Sequence, residues 1–174
     1  INQTNLKRLL AYSSIAHAGY LLMAFVPYGQ TTIAGESVAA MLYYLAAYSI
    51  TTLGAWAVVI SLEGAEGRGL ELADYAGLGG KYPWLGAAMT VFMLSLTGIP
   101  LTLGFWGKFF LFRTAVQAGF EWLALVGLIT SLISAYYYLR VVVVMFMHAG
   151  EPRVRREGWL SLIAVGAALA VMLL

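Results

Sequence analysis

The sequence predicts an all-α protein, a polytopic transmembrane helical bundle. Of its 174 residues, 61% are hydrophobic and only 10% are charged, whereas about 25% of the residues in a soluble domain carry a charge. The mean hydropathy is +0.83. Apolar stretches close to the roughly 20 residues that a helix needs to cross a bilayer recur along the chain. Such a chain has too little polar surface for a soluble fold, but it suits a fold whose outer surface faces lipid.

Six helical segments are predicted from the apolar stretches and from the glycines and prolines between them. They cover approximately residues 6–26, 36–62, 83–96, 101–118, 122–146 and 159–174. Polar connections occupy residues 63–82 and 149–157, and residues 70–75 are expected to form a short helix at the membrane surface. Residues 1–174 are expected to form a single transmembrane domain. Because the chain opens without Met and stops inside an apolar stretch, we expect it to be part of a longer protein.

The central apolar stretch is interrupted at Gly98-Ile99-Pro100, because Pro100 lacks an N–H and disfavours helix in the preceding residue. If this stretch crosses the membrane once, the basic residues near helix ends fall on one side: Lys7, Arg8, Arg68, Lys81, Arg153, Arg155 and Arg156. If it crosses twice, the last three move to the other side and the positive-inside bias weakens. The two halves, as helices of about 21 and 27 Å, are long enough for two crossings of a thin bilayer. Five and six crossings therefore both remain open.

Several classes of site are not expected. The chain has no cysteine, which excludes disulfides and thiolate metal sites, and His17 and His148 are too far apart in sequence for a local metal pair. Gly98, Gly104 and Gly107 surround an apolar break and follow no strand, so they are not a nucleotide-binding fingerprint. A net charge of +2 is too small to indicate binding of nucleic acid. No cofactor and no metal ion are expected.

Lys108 is the strongest candidate for a functional residue. It lies inside an apolar stretch eight residues after Pro100, and an ionisable side chain at membrane depth is a functional hypothesis by default. Because burial penalises a charged amine, a lysine in this position can release and regain a proton, as a relay does. Unwound backbone at this depth also indicates a protein-lined or water-filled cavity. The alternative is a side chain that extends to the membrane interface.

Lys7 and His17 are two further candidates for a proton relay. Lys7 stands beside Arg8 at the head of the first helix, where adjacent basic residues usually fix topology. His17 lies in mid-helix, and Ser13, Ser14 and Tyr20 can share its face. This polar stripe suits a water wire, and it equally suits hydrogen bonding between helices.

Polar residues also recur on the second and fifth segments. Tyr44, Tyr48, Thr51 and Thr52 form a similar stripe, whose default interpretation is helix packing. Arg140 lies deep in the segment 122–146, so we expect it to face protein or water. No acidic residue of the chain is expected at a matching depth, and a partner for Arg140 would then come from elsewhere.

Three runs of sequence resemble motifs of one protein family, the antiporter-like membrane subunits of respiratory complex I, the proton-pumping NADH:quinone oxidoreductase. The runs are Asn-Leu-Lys-Arg-Leu-Leu-Ala-Tyr-Ser-Ser-Ile-Ala-His-Ala-Gly-Tyr (5–20), Met-Leu-Ser-Leu-Thr-Gly-Ile-Pro-Leu-Thr-Leu-Gly-Phe-Trp-Gly-Lys-Phe (93–109) and Ala-Tyr-Tyr-Tyr-Leu-Arg (135–140). Their details favour the N branch of the family over the M and L branches. The resemblance covers essentially the whole chain.

The resemblance implies the second half of a protein of about fourteen helices that forms part of a proton channel in a bacterial inner membrane. It implies that Lys108 is the lysine of the second half-channel and that Lys7 is the basic residue at the head of its helix. His17 takes a polar position of the motif. The implied partners are other membrane subunits of complex I, the lipid bilayer, protons and channel water. No NADH, quinone, nucleic acid or redox centre is expected on this chain.

Two other functions remain open. A subunit of a multisubunit sodium/proton antiporter is similar in fold, and a membrane scaffold subunit would transport nothing. In a scaffold Lys108 would be dispensable, whereas polar and hydrated surroundings of Lys108 would favour transport.

Overall fold

The computed structural model describes residues 3–28, 30, 32–63, 70–152 and 158–173. Within these ranges the chain is almost entirely helical and contains no strand, so the prediction of an all-α bundle is confirmed. The helices are α1 (Leu6–Met23), α2 (Phe25–Tyr28), α3 (Ala34–Leu62), a 3-10 helix (Leu72–Tyr75), α4 (Leu78–Lys81), α5 (Pro83–Thr97), α6 (Leu103–Gln117), α7 (Glu121–Met147) and α8 (Gly158–Leu173). The arginines predicted to bias the topology from loops lie outside the described residues: Arg68, Arg153, Arg155 and Arg156.

Each of the six predicted segments corresponds to a helix. The stretches Leu6–Tyr28, Ala34–Leu62 and Glu121–Met147 are long and apolar enough to cross a membrane, and Pro83–Thr97 and Gly158–Met172 are shorter apolar helices. The short surface helix expected at 70–75 is a 3-10 helix of four residues. The four-residue helices α2 and α4 were not predicted, because their sequences are too short to show a period.

Contacts at the two ends of the bundle show how often the chain passes through it. At one end, called the Lys7 end, Lys7 pairs with Glu63 at 2.6 Å, and Lys81, just before α5, pairs with Glu151 after α7 at 2.5 Å.

At the other end, called the Gln30 end, the Gln30 side chain donates to the Ala118 carbonyl after α6 at 2.9 Å. Arg113 of α6 lies 4.0 Å from Glu36 of α3 at the same end. Since α5 begins at the Lys7 end and α6 finishes at the Gln30 end, the two form one broken pass. The described helices therefore make five passes, which decides the question that charge and length left open.

The break between α5 and α6 is built from the residues that predicted it. Gly98 takes a left-handed conformation with φ of 89° and its N–H bonds the carbonyls of Leu94 and Ser95, which ends α5. Leu101 also has a positive φ, 74°, which is costly for a residue with a side chain. This conformation delays the start of α6 to Leu103, two residues after the predicted start.

Glycines let α6 approach its neighbours across the break. A Cβ on Gly104 would lie 1.9 Å from the Ser95 carbonyl oxygen of α5. A Cβ on Gly107 would lie 2.7 Å from a ring carbon of Tyr44 of α3. The first two turns of α6 therefore pack directly on the end of α5 and on α3, which carries the next residue of that face, Lys108, into the bundle.

Replacement of Gly104 by Ala should destabilise the bundle, because the clash is with backbone and cannot be relieved by a side-chain rotation. We expect a loss of about 1–3 kcal/mol in the free energy of unfolding, as for other overpacked cores. Gly166→Ala on α8 is the matched control, since a Cβ there meets nothing within 4 Å. Thermal denaturation of the full chain in detergent measures both variants, and equal midpoints for the two would contradict the close approach described here.

Candidate functional site

The amine of Lys108 lies inside the bundle rather than at an interface. The residue is 4% exposed. Its Nζ donates to the carbonyl oxygens of Leu96 at 2.8 Å and Thr97 at 2.9 Å, and to the Ser131 hydroxyl at 2.8 Å. We call these three oxygens the oxygen cradle. The cradle removes the interface-facing alternative for Lys108, while its role as a relay stays a prediction.

The carbonyls of the cradle are available because of the break. In a continuous helix the Leu96 carbonyl would accept from the N–H four residues later, but that residue is Pro100, which has none. The last carbonyls of α5 also carry the partial negative charge of a helix C-terminus. Lys108 thus donates to carbonyl oxygens at the end of α5 that have no partner within their own helix. At membrane depth, a water molecule can take over this role only where a cavity admits it.

Helix α7 and helix α1 complete the surroundings of the amine. Ser131 of α7 donates to the Thr97 carbonyl at 2.9 Å, which fixes its oxygen towards Lys108. The ring of Tyr20 of α1 lies with its centroid 5.0 Å from Nζ, within the range of a cation–π contact. None of the ion pairs among the described residues involves Lys108. The amine is therefore held by neutral groups.

His17 is buried, 3% exposed, between two tyrosines from different helices. Its Nδ1 lies 2.5 Å from the Tyr44 hydroxyl of α3, and its Nε2 lies 3.2 Å from the Tyr138 hydroxyl of α7. The Tyr138 hydroxyl also contacts the Ser13 hydroxyl. A neutral imidazole donates from one nitrogen and accepts at the other, so either tautomer satisfies both tyrosines if their hydroxyl protons turn.

A small cavity adjoins both clusters. Its volume is about 10 Å³, roughly the room of one water molecule. The residues that line it come from α1, α3, α5 and α6: His17, Tyr44, Ala47, Tyr48, Thr51, Ser95, Leu96 and Gly104. His17 lines this cavity directly, and Leu96, whose carbonyl belongs to the oxygen cradle, lines it as well.

A wider cavity approaches the His17 cluster from the Lys7 end. It measures about 190 Å³ and is lined by Gln3, Leu9, Tyr12, Ser13 and Tyr137. Since Ser13 contacts the Tyr138 hydroxyl, polar groups continue from this cavity to Ser13, Tyr138, His17 and Tyr44. The stripe seen on the first helix is thus one side of a polar chain that three helices build.

Lys7 is not part of the polar chain formed by Ser13, Tyr138, His17 and Tyr44. It forms an ion pair with Glu63, and both side chains are about one-third exposed at the end of the bundle. The pair ties the start of α1 to the end of α3, as expected of a topology anchor. The structure does not bring Lys7 together with Lys108, and a relay role for Lys7 stays a prediction.

Arg140 has surroundings that the sequence did not indicate. It is half-buried and lines a cavity of about 610 Å³ together with Glu71 and His148. Glu71 comes from the polar connection that precedes α4, and no ion pair among the described residues joins it to Arg140. His148 is exposed at the end of α7, in line with a position at the membrane edge.

Ser131, Ser95 and the α5 carbonyls were missed by the sequence analysis. The Ser95 hydroxyl lies 3.1 Å from that of Thr51 and accepts from the Gly104 N–H at 3.2 Å, so it joins α3, α5 and α6. Pro100, four residues after Leu96, was a signal for the free carbonyl. Nothing in the sequence indicated Ser131. The described residues hold no group of three or more His, Cys, Asp or Glu side chains suited to a metal ion.

Comparison with known proteins places these features in a family. Residues 1–134 match the family model described as NADH:quinone oxidoreductase/Mrp antiporter, transmembrane. The chain is 51% identical over 152 residues to NADH-quinone oxidoreductase subunit N of Trichlorobacter lovleyi, covering 87% of this chain and 30% of the relative. It is 41% identical over 176 residues to subunit N of Bdellovibrio bacteriovorus, covering 100% of this chain and 36% of the relative. The chain thus spans about a third of the length of these relatives.

Solved structures give the same result. A chain of respiratory complex I from Thermus thermophilus with bound aureothin superposes with a TM-score of 0.83 at 38% identity, over 99% of this chain and 38% of that one. A chain of the Mrp complex from Dietzia superposes with a TM-score of 0.81 over 98% of this chain and 40% of that one, but at 19% identity, which shows a shared fold alone. The chain is an integral membrane protein, and it belongs to the NADH:quinone oxidoreductase/Mrp antiporter family of membrane subunits.

Proposed function

We propose that this chain is the proton-conducting second half of the N-type membrane subunit of a proton-pumping NADH:quinone oxidoreductase. The relatives that match it over most of its length are named as subunit N. The observation that carries the proposal is the burial of the Lys108 amine among three neutral oxygens. Carbonyl and hydroxyl oxygens accept hydrogen bonds from a charged or a neutral amine, so Lys108 can change its protonation state without losing its position.

Protons reach Lys108 through the polar chain. A proton enters from the 190 Å³ cavity, passes from the Ser13 hydroxyl to Tyr138, and crosses His17 by exchange of its two tautomers. The small cavity takes one water molecule, which bridges the step towards Lys108. When a second positive charge arrives nearby, repulsion drives the proton from Lys108 towards the Gln30 end.

The distribution of charge sets the orientation of this path. Lys7, Arg8 and Lys81 lie at the Lys7 end, against Arg113 at the Gln30 end, and both polar connections, 63–82 and 149–157, join helix ends on the Lys7 side. The positive-inside rule then places the Lys7 end in the cytoplasm of a bacterium, with the bundle in its inner membrane. Protons leave at the outer, Gln30 end.

The chain works as a channel module within a larger assembly. Its partners are the other membrane subunits of the complex, lipid, protons and channel water. We assign electron transfer from NADH to quinone to other subunits, and we expect no redox centre, cofactor or metal on this chain. The anchoring pair of Lys7 and Glu63 holds the cytoplasmic end of α1 in place.

A sodium/proton antiporter subunit is the second candidate, because the Mrp chain shares this fold. The two functions differ in what drives the cycle. Ion movement that depends on NADH oxidation in the parent complex identifies the oxidoreductase, whereas exchange of Na⁺ for protons without NADH identifies the antiporter.

Substitution of Lys108 by Ala or Arg in the full chain should impair proton translocation. Loss of a positioned proton donor and acceptor slows such steps by about 10²-fold or more, and Arg retains its proton at all relevant pH values. Lys81→Ala is the control, since Lys81 is a half-exposed member of a surface ion pair. The measurement is proton uptake per NADH oxidised in reconstituted vesicles. Pumping equal to that of the parent in both Lys108 variants would exclude the relay.

Removal of the Tyr138 hydroxyl should interrupt the polar chain without creating a cavity in the core. Tyr138→Phe keeps the buried ring but leaves Ser13 and His17 without their shared partner. We expect slower proton translocation and a loss of about 1–3 kcal/mol in stability from the unpaired groups. Tyr136→Phe, two residues away on the same helix and 59% exposed, is the matched control. If both variants pumped alike, protons would have to follow another route.

A further inference from the structure

The oxygen cradle has the form of an ion-binding site. Its three oxygens surround one point at nearly equal distances, 2.8, 2.9 and 2.8 Å from the Lys108 Nζ. Two of them are carbonyls at the end of a broken helix, the arrangement by which membrane transporters coordinate monovalent cations. Besides accepting from Lys108, the cradle is held by the bond from Ser131 to Thr97, a contact that does not need the amine.

The dimensions and the charge of the cradle restrict the ion. The distances exceed the roughly 2.3–2.6 Å of Ca²⁺ and the roughly 2.0–2.1 Å of Mg²⁺ contacts. The ion pairs and metal-ligand groups of the described residues place no carboxylate there to balance a divalent charge. K⁺ and NH₄⁺ are close in size to the ammonium group that the cradle already holds. Carbonyl oxygens can replace the hydration shell of K⁺.

The fourth side of the cradle favours the same ions. The face of the Tyr20 ring lies 5.0 Å from Nζ, and an aromatic face attracts cations that lose their water readily. Na⁺ is smaller and holds its hydration shell more firmly, so it gains less from this arrangement.

We infer that the oxygen cradle is a binding site for a weakly hydrated monovalent cation, K⁺ or NH₄⁺, which Lys108 fills with its own ammonium group. In the parent protein Lys108 is a tethered cation that keeps free ions out. Once its side chain is shortened, K⁺ or NH₄⁺ binds between Leu96, Thr97 and Ser131. The binding itself does not depend on the proposed function; only its consequence, that Lys108 restricts the path to protons, rests on it.

The test uses the full chain, purified in its complex, with Lys108→Ala. Thermal denaturation is followed in KCl, NH₄Cl, NaCl and choline chloride at equal ionic strength, because a ligand that binds the folded state raises its stability. K⁺ and NH₄⁺ should raise the midpoint of the variant relative to choline, Na⁺ should raise it less, and the parent should show no such difference. Lys7→Ala, which removes a lysine from a carboxylate partner, should behave like the parent.

Equilibrium binding of radioactive rubidium, a K⁺ surrogate, gives a direct measurement. Lys108→Ala should bind one ion per chain, and addition of Ser131→Ala should weaken that binding about tenfold, as expected for the loss of one oxygen contact to a charged group. If Lys108→Ala does not assemble, Lys108→Leu takes its place, because Leu is shorter than Lys, neutral and without an N–H that could occupy the cradle.

Equal stability of the variant in KCl and choline chloride, or an equal K⁺ effect in the parent, would overturn the inference. Both measurements are made without turnover. Failure of cation binding is therefore distinguishable from failure of the proton relay, which the pumping experiment detects.

Discussion

A backbone carbonyl that has no hydrogen-bond donor within its own helix organises this bundle. Leu96 needs a donor because Pro100, four residues on, has no N–H, and at membrane depth water is not freely at hand to supply one. Lys108 supplies the donor from the next helix. To reach it, α6 must lie against the end of α5, and the contact distance allows only glycine at position 104. Ser131 then draws α7 into the same cluster.

The fold was largely accessible from the sequence, because lipid imposes long apolar helices and Pro100 marks the break. The number of passes was not. Hydropathy and length cannot tell whether the two halves of 83–117 cross the membrane together or separately. Contacts at the bundle ends can, because Lys81 before α5 pairs with Glu151 at one end and Ala118 after α6 accepts from Gln30 at the other. Charge counting favoured the correct answer, since the single pass gathers most of the basic residues near helix ends on one side, with Arg113 as the exception.

The candidate site was accessible only in part. Lys108 and His17 stood out because polar residues in apolar helices are rare. Their partners did not, since Tyr44 and Tyr138 lie 27 and 121 positions from His17. No local period connects such distant residues. Two groups of the oxygen cradle are backbone atoms, which a search for side-chain motifs cannot find. Lys7 shows the opposite case, a residue prominent in sequence that the fold places in a surface ion pair.

The bonding of His17 on both sides sets a limit on timing. In the proposed relay, each proton that passes along Ser13, Tyr138 and His17 leaves the hydroxyl O–H bonds reversed and the imidazole in its other tautomer. A second proton can follow in the same direction only after the hydroxyls have turned back and the imidazole has regained its first tautomer. Because the His17 ring is stacked on Tyr48 with centroids 4.5 Å apart, it resets by losing and gaining protons more readily than by flipping over. If protons follow the proposed path, successive protons are separated by a refractory interval, the time that the hydroxyls and the imidazole need to return to their starting arrangement.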